Sequence, residues 1–81
     1  MRVRVLYFGI IRERLGRREE TVEVSEGATV GQVTAALSAR YGELVSGVAS
    51  LRVAVNLEYV DSDRVLAEDD EVAVIPPVSG G

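Results

Sequence analysis

Hydrophobic and polar positions alternate with a period of two in several short stretches of this 81-residue chain. This period is typical of β-strands that bury one face. The stretch from Val72 to Ile75 is wholly apolar, which predicts a central strand, and Asn56-Leu57-Glu58 predicts a tight turn because Asn tolerates a left-handed backbone. The predicted strands are 2–8, 20–24, 51–55, a very short one at 59–60, and 71–75.

A different period marks one main helix in the middle of the chain. Thr29 followed three residues later by Gln32 predicts a capping box, in which each side chain binds an otherwise unpaired backbone N–H. Gly42 predicts the end of this helix. The apolar stripe expected to pack on a sheet consists of Val30, Val33, Leu37 and Tyr41.

Shorter segments complete the secondary-structure prediction. Residues 10–16 predict a helical turn closed by Gly16. Residues 43–50 predict a loop or a single helical turn, and residues 61–64 a polar turn. Val65 and Leu66 are predicted to be buried.

The element order ββαβ(β)β predicts the α+β class, and within it a β-grasp, or ubiquitin-like, roll. In this roll a mixed sheet of four to five strands wraps one main helix, and the first and last strands lie parallel at its centre because the helix supplies the long crossover. We therefore predict one β-grasp domain over residues 1–75 and an extended C-terminal tail over residues 76–81.

Composition excludes several classes of function. Cys and His are both absent, which removes disulfides, thiolate metal sites and the usual nucleophile and general-base pairs, so we predict no metal and no catalytic pocket of the chain's own. No apolar run approaches a membrane span or a signal peptide, and we therefore expect a cytoplasmic protein that does not bind membranes.

Charge is distributed unevenly along the chain. The net charge is −4, which argues against binding to nucleic acid. Residues 41–81 hold two Arg and eight acidic residues, and all nine cations of the chain are Arg. An acidic surface leading into the tail favours a basic protein partner, although acidic residues that only keep the surface solvated explain the same composition.

The tail carries the group that is best suited to a chemical reaction, the C-terminal carboxylate. Pro76 and Pro77 cannot continue a strand and hold the chain extended, and Ser79-Gly80-Gly81 has almost no side-chain bulk. Such a thin tail suits a carboxylate that is threaded through a narrow channel into another protein's active site. There it would attack the α-phosphate of ATP to form an acyl adenylate, from which a sulfur or amine nucleophile displaces AMP. A frayed terminus or a chance Gly-Gly is the alternative explanation.

Several segments along the whole chain match the pattern of one known family. They are Val5–Gly9, Arg12-Glu13 with Gly16, Thr29-Val30, Ala54–Asn56 and, most specifically, Asp70–Gly81. By these segments the sequence resembles the MoaD family, the small subunits of molybdopterin synthase. It departs from the family pattern at Asp69, where this family usually has Gly.

The resemblance implies a function as a sulfur carrier. Gly81 would be adenylated by a MoeB-type adenylyltransferase, with ATP consumed by that partner and no cofactor bound by the chain itself. A sulfurtransferase system would then convert Gly81 to a thiocarboxylate. Gly81 would donate sulfur to the cyclic pyranopterin monophosphate precursor of molybdopterin, in a heterotetramer with a MoaE-type large subunit.

The resemblance also implies roles for residues outside Gly81. The tail residues Pro76, Pro77, Val78, Ser79 and Gly80 would present Gly81. Phe8, Tyr59 and Ile75 would form the partner-binding face, although burial in the core is an equal alternative for Phe8 and Ile75. For Arg12 and Glu13, a local ion pair is the simplest explanation.

Three other functions fit the same residues. The chain could carry sulfur for thiamin synthesis or tRNA thiolation. It could be a ubiquitin-like protein modifier that forms isopeptide bonds through the same adenylate. It could also be an interaction domain with an idle tail.

Overall fold

The computed structural model of the protein describes residues 1–45 and 51–76. Five strands form one sheet in the order β2-β1-β5-β3-β4, and β1 and β5 run parallel at its centre. The predicted mixed sheet with central first and last strands is therefore confirmed. The elements are β1 (Arg2–Tyr7), α1 (Gly9–Leu15), β2 (Glu19–Glu23), α2 (Val30–Val45), β3 (Arg52–Val55), β4 (Glu58–Tyr59) and β5 (Glu71–Ile75).

One face of the sheet is buried beneath α2 and α1. The stripe predicted for α2 supplies its half of the core, with Val30, Val33 and Leu37 buried and Tyr41 half-buried. Burial of such side chains contributes about 1.5–3 kcal/mol each, which makes this layer the main source of stability. The sheet contributes alternate residues, namely Val3, Val5, Tyr7, Val53, Val55, Val72 and Val74.

The beginning of α2 is fixed by the predicted capping box. The Thr29 backbone N–H donates to Gln32 Oε1 at 2.8 Å, and the Gln32 backbone N–H donates to Thr29 Oγ1 at 3.3 Å. The predicted end at Gly42 is wrong. The backbone leaves helical geometry one residue earlier, at Tyr41 (φ −121°, ψ 27°), and helical structure then resumes as far as Val45.

The structure tests the predictions for four short segments. Gly16 closes α1 with φ 70° and donates its N–H to the Arg12 carbonyl, as predicted. The predicted burial of Val65 is wrong: it is 57% exposed, whereas Leu66 is buried. The Arg64 N–H donates to the Asp61 carbonyl, which confirms the polar turn. The prediction for residues 43–50 is a loop or a single helical turn; residues 43–45 are helical, and residues 46–50 lie outside the described residues.

The β3–β4 connection is a two-residue loop, Asn56-Leu57. Both residues have positive φ, 49° and 74°, which matches the twist of the flanking strands but favours glycine at the second position. Because the loop is this short, β4 begins at Glu58, one residue before the predicted start. Asp69 also lies in the left-handed region, with φ 66°, which explains why glycine suits that position.

A nearly buried carboxylate connects β1, β2 and α2. Tyr7 and Tyr41 both donate hydroxyl hydrogen bonds to Glu20 Oε2, at 2.7 and 2.8 Å, and Arg17 and Arg40 lie 3.4 and 3.2 Å from the carboxylate. Burial by itself would raise the pKa of Glu20, but these bonds and charges outweigh it and lower the pKa. Burial and the bond to Glu20 raise the pKa of Tyr7.

Within the described ranges, none of the helices has the length and apolar character that crossing a membrane requires.

Candidate functional site

The root of the C-terminal tail is held between two strands. Along β5, Val74 is paired with Tyr7 of β1 and with Val53 of β3, and Ile75 is paired with Arg52. A strand bound on both sides is fixed along its length, so the chain leaves the sheet at a defined position. The tail predicted to follow begins at this point.

Pro76, the first tail residue, is half-buried against the start of α1. A Cβ placed on Gly9 would lie 2.8 Å from Pro76 Cγ, which is closer than real contacts allow. The proline ring therefore occupies space that a larger residue at position 9 would fill. Pro77, Val78, Ser79, Gly80 and Gly81 lie outside the described residues, and their proposed roles stay predictions.

The sheet face turned away from α2 is uncovered and apolar in the region where β5 ends. Strand register places Leu6, Ala73, Ala54 and Tyr59 in one row across β1, β5, β3 and β4. Tyr59 is 65% exposed, and Leu6 and Ala73 are half-buried. We call this surface, together with Ile75 and Arg52 in the next row, the open face.

Phe8 extends the second row of the open face. It follows β1 with extended backbone (φ −130°, ψ 162°), so its side chain points to the same side as Leu6. Continuing the parallel register of Tyr7 with Val74 places Phe8 beside Ile75. Phe8 is 43% exposed and Ile75 is half-buried, so neither is a residue of the buried core.

The structure thus brings the three predicted partner-binding residues onto one face. Phe8 and Ile75 are neighbours beside the tail root, and Tyr59 lies across β3 from them. That they bind a partner stays a prediction. Sequence patterns did not predict that this face also includes Leu6, Ala54, Ala73 and Arg52, although the alternation in 2–8 and 51–55 places the Leu6 and Arg52 side chains opposite the core residues.

An arginine is stacked on the open face. The Arg52 guanidinium carbon lies 5.4 Å from the centre of the Tyr59 ring, within range of a cation–π interaction. Arg and Tyr are the residue types most often found at the energetic centres of protein interfaces. This pair therefore adds to the open face two residue types that are enriched at interface centres.

The other end of the open face is charged. Arg4 Nη2 lies 3.1 Å from Glu19 Oε2, and Arg4 Nη1 lies 3.5 Å from Glu71 Oε2. These ion pairs are exposed and contribute little to stability. They make the face apolar toward the tail and polar away from it, so a partner that excludes water would be centred near Ile75.

The described part of the chain shows no metal-binding arrangement: residues 1–45 and 51–76 contain no group of three Asp or Glu side chains that could hold an ion. A groove of about 630 Å³ runs between the start of α2 and the β3–β4 hairpin, lined by Val30, Thr34, Arg52, Tyr59 and their neighbours. Asp61 is the single acidic residue among those that line this groove, and the lining includes neither His nor Cys.

The sheet is mixed, has five strands and wraps one main helix, and its last strand is central and is followed directly by the tail. These features define a ubiquitin-like β-grasp protein. The chain matches the model of the ThiS family over residues 5–81. It belongs to the ThiS family, and the resemblance inferred from its sequence is confirmed.

Individual relatives and structures agree with this assignment. The molybdopterin synthase sulfur carrier subunit of Chlamydomonas reinhardtii is 40% identical over 83 residues, covering 100% of both chains. The crystal structure of SAMP1 from Haloferax volcanii is 31% identical with a TM-score of 0.87, covering 100% of both chains. A complex of subunits 1 and 2 of the molybdopterin-converting factor from Helicobacter pylori covers 100% of both chains with a TM-score of 0.72; at 23% identity it shows the fold alone.

Proposed function

We propose that the protein is the sulfur-carrier small subunit of a molybdopterin synthase, with the Gly81 carboxylate as its reacting group. The observation that carries this proposal is the position of the tail. It follows the central strand β5, which is paired on both sides, so the point at which the chain leaves the sheet is fixed. The sequence of the tail ends in Ser79-Gly80-Gly81, which has almost no side-chain bulk. The full-length match to a curated sulfur carrier subunit supports the same conclusion.

The chemistry at Gly81 proceeds in two steps. A carboxylate oxygen attacks the α-phosphorus of ATP and releases pyrophosphate, and a sulfide equivalent then displaces AMP to leave a thiocarboxylate. A MoeB-type adenylyltransferase binds and consumes the ATP, a sulfurtransferase delivers the sulfur, and these two partners supply every catalytic group. The chain binds no cofactor in this scheme and contributes only the carboxylate and its presentation.

The open face would dock on the large subunit of the synthase. Phe8, Ile75 and Tyr59 offer apolar and aromatic surface directly beside the tail root, as interface cores require. Docking there would aim the tail into the large subunit, where Gly81 would transfer its sulfur to the pyranopterin precursor. Two carriers and a central large-subunit dimer would make the heterotetramer.

Deletion of Gly81 tests the central claim. The variant should unfold at the same temperature as the wild type, because the core lies within residues 1–76, and it should lose all sulfur transfer. Intact-protein mass spectrometry after incubation with ATP, a MoeB-type enzyme and a sulfur donor measures the replacement of one oxygen by sulfur.

A matched variant separates chemistry from tail shape. Gly81→Ala keeps the carboxylate but adds a Cβ, so it should be activated more slowly while binding the large subunit as the wild type does. Thiocarboxylate formation on the wild type, followed by precursor conversion only when the large subunit is added, is the expected result. A wild-type terminus that remains a carboxylate while a control carrier is activated would overturn the proposal.

A second candidate function is protein modification. The likeness to SAMP1, described in another solved structure as small archaeal modifier protein 1, favours it specifically. The same adenylate would then be attacked by a lysine ε-amine of a target, forming an isopeptide bond. Because this chain contains no Lys, it would be attached singly rather than as chains linked through its own side chains. Mass spectrometry of a trypsin-digested cell extract distinguishes the two functions: cleavage after Arg64, the last cation of the chain, would leave residues 65–81 linked to the target lysine.

A further inference from the structure

The tip of the β3–β4 hairpin presents a leucine in an unfavourable position. Leu57 is 93% exposed, the highest value among the exposed large hydrophobic residues of the described chain, and its φ is 74°. The left-handed region costs a residue with a Cβ free energy that glycine avoids, and two-residue loops of this kind prefer Asn-Gly. Leu57 therefore lowers the stability of the isolated protein without gaining burial.

The loop that holds Leu57 is rigid. Asn56 Nδ2 donates to Asp70 Oδ1 at 2.9 Å, and the Glu71 N–H donates to Asn56 Oδ1 at 3.0 Å. The Asn56 N–H donates in turn to the Glu71 carbonyl at 2.9 Å. Three bonds thus fix the turn to the start of β5. The backbone that carries Leu57 is therefore held in place before any partner arrives, which reduces the entropy lost on binding.

The position of Leu57 lies within reach of a partner on the open face. Arg52 pairs with Ile75 at the tail end of the sheet, and β3 rises about 10 Å from Arg52 to Val55, with the tip just beyond. A standard interface buries about 800 Å² on each partner, a patch roughly 30 Å across. A protein centred near Ile75 and covering Tyr59, two residues from Leu57, would therefore reach the hairpin tip with the edge of such a patch.

Charge around the hairpin tip indicates what kind of surface would receive the leucine. Glu58 follows it directly, and Asn56 holds Asp70 and Glu71 beside the turn. Arg52 and Arg64 are the two cations of residues 41–81, against eight acidic residues. A complementary surface would be an apolar socket bordered by basic side chains.

We propose that Leu57 is a preorganised docking anchor that inserts into an apolar, basic-rimmed socket on the same large subunit that covers Tyr59. This inference rests on the proposed function. It adds a contact at the end of the sheet opposite the tail, where the leucine would select the partner without touching the chemistry at Gly81.

The proposal predicts that Leu57→Gly makes the protein more stable but weakens its binding to the large subunit. Leu57→Gly relieves the strained backbone and removes the anchor, so the melting temperature should rise by about 4 °C while the Kd for the large subunit rises about tenfold. Leu57→Ala removes the anchor but keeps the strain, so it should weaken binding as much without the rise in melting temperature. Leu57→Met should bind as the wild type does.

Asp69→Gly serves as the control, because it relieves the same backbone strain (φ 66°) at a residue with no apolar side chain. It should raise the melting temperature and leave the Kd within about twofold. Binding is measured by titration calorimetry with the purified large subunit, and thiocarboxylate formation is measured in parallel.

Equal Kd values for wild type and Leu57→Gly would overturn the anchor while leaving the carrier function intact. An equal loss of affinity in Asp69→Gly would assign the effect to the backbone and also overturn it. If the Leu57 variants lost only thiocarboxylate formation, the socket would lie on the MoeB-type enzyme and the proposal would be overturned. Failure of the wild type to bind the large subunit at all would overturn the proposed function itself.

Discussion

Replacement of Glu20 by Gln should reveal how much a single carboxylate contributes to joining the sheet to the helix. Both Tyr7 and Tyr41 donate to the same oxygen, Oε2, so the Gln carbonyl can replace it sterically and still accept both bonds. What changes is the charge. A hydrogen bond to a charged group is worth about 1.5–3 kcal/mol, and one between neutral groups about 0.5–1.5 kcal/mol.

The expected loss follows from these values. Two bonds that each weaken by about 1 kcal/mol give a total of about 2 kcal/mol. The arginine pairs add little, because the side chains of Arg17 and Arg40 are 49% and 61% exposed to solvent, which screens the charge. For a domain of this size the melting temperature should fall by about 8–16 °C at pH 7.

The pH dependence provides the sharper measurement. The pKa of Glu20 is lowered in the folded protein from its ordinary value of 4.5, so its contribution is complete above that value and is lost as the pH falls through the folded pKa. The gap in stability between wild type and Glu20→Gln should therefore be constant near neutrality. It should close in acid, where the protonated carboxyl resembles the amide.

The thermal unfolding of wild type and of Glu20→Gln is followed by far-UV circular dichroism at a series of pH values from 7 to about 2. Glu23→Gln is the matched control, since Glu23 lies on the same strand but is exposed and should change the melting temperature little. A gap that persists unchanged into acid would show that the loss comes from packing rather than charge and would refute the reasoning.

Two further substitutions test the ends of the helices. Gly16→Ala should cost about 1 kcal/mol in the free energy of unfolding by urea, because φ is 70° and no atom lies within 4 Å of an added Cβ, so the cost is purely conformational; an unchanged free energy would contradict this. Thr29→Ala should cost about 1 kcal/mol by breaking the capping box, and Thr29→Ser should restore most of it, whereas equal losses in both would assign the effect to the methyl group.

The sequence by itself determined the elements and their order. The period-two stretches, the Thr29-Gln32 capping box and the Val30–Tyr41 stripe are local signals, because each depends on residues a few positions apart. The parallel centre of the sheet was also predictable, since a helical crossover permits few alternatives. Val65 was misjudged because an apolar side chain shows its tendency to be buried but not the direction in which a loop points it.

The tertiary structure decided what depends on distant residues. The open face exists because strand register aligns Leu6, Ala73, Ala54 and Tyr59 from four separate strands. A tight turn sets the register of β3 with β4, but no such local signal sets the pairing of β5 with β1 or with β3. The Glu20 network likewise depends on hydrogen bonds between distant residues, such as the bond from Tyr41 to Glu20, which lie 21 positions apart. The strain at Leu57 became visible only in the folded backbone, because a two-residue hairpin fixes φ at a position where the sequence shows an ordinary leucine.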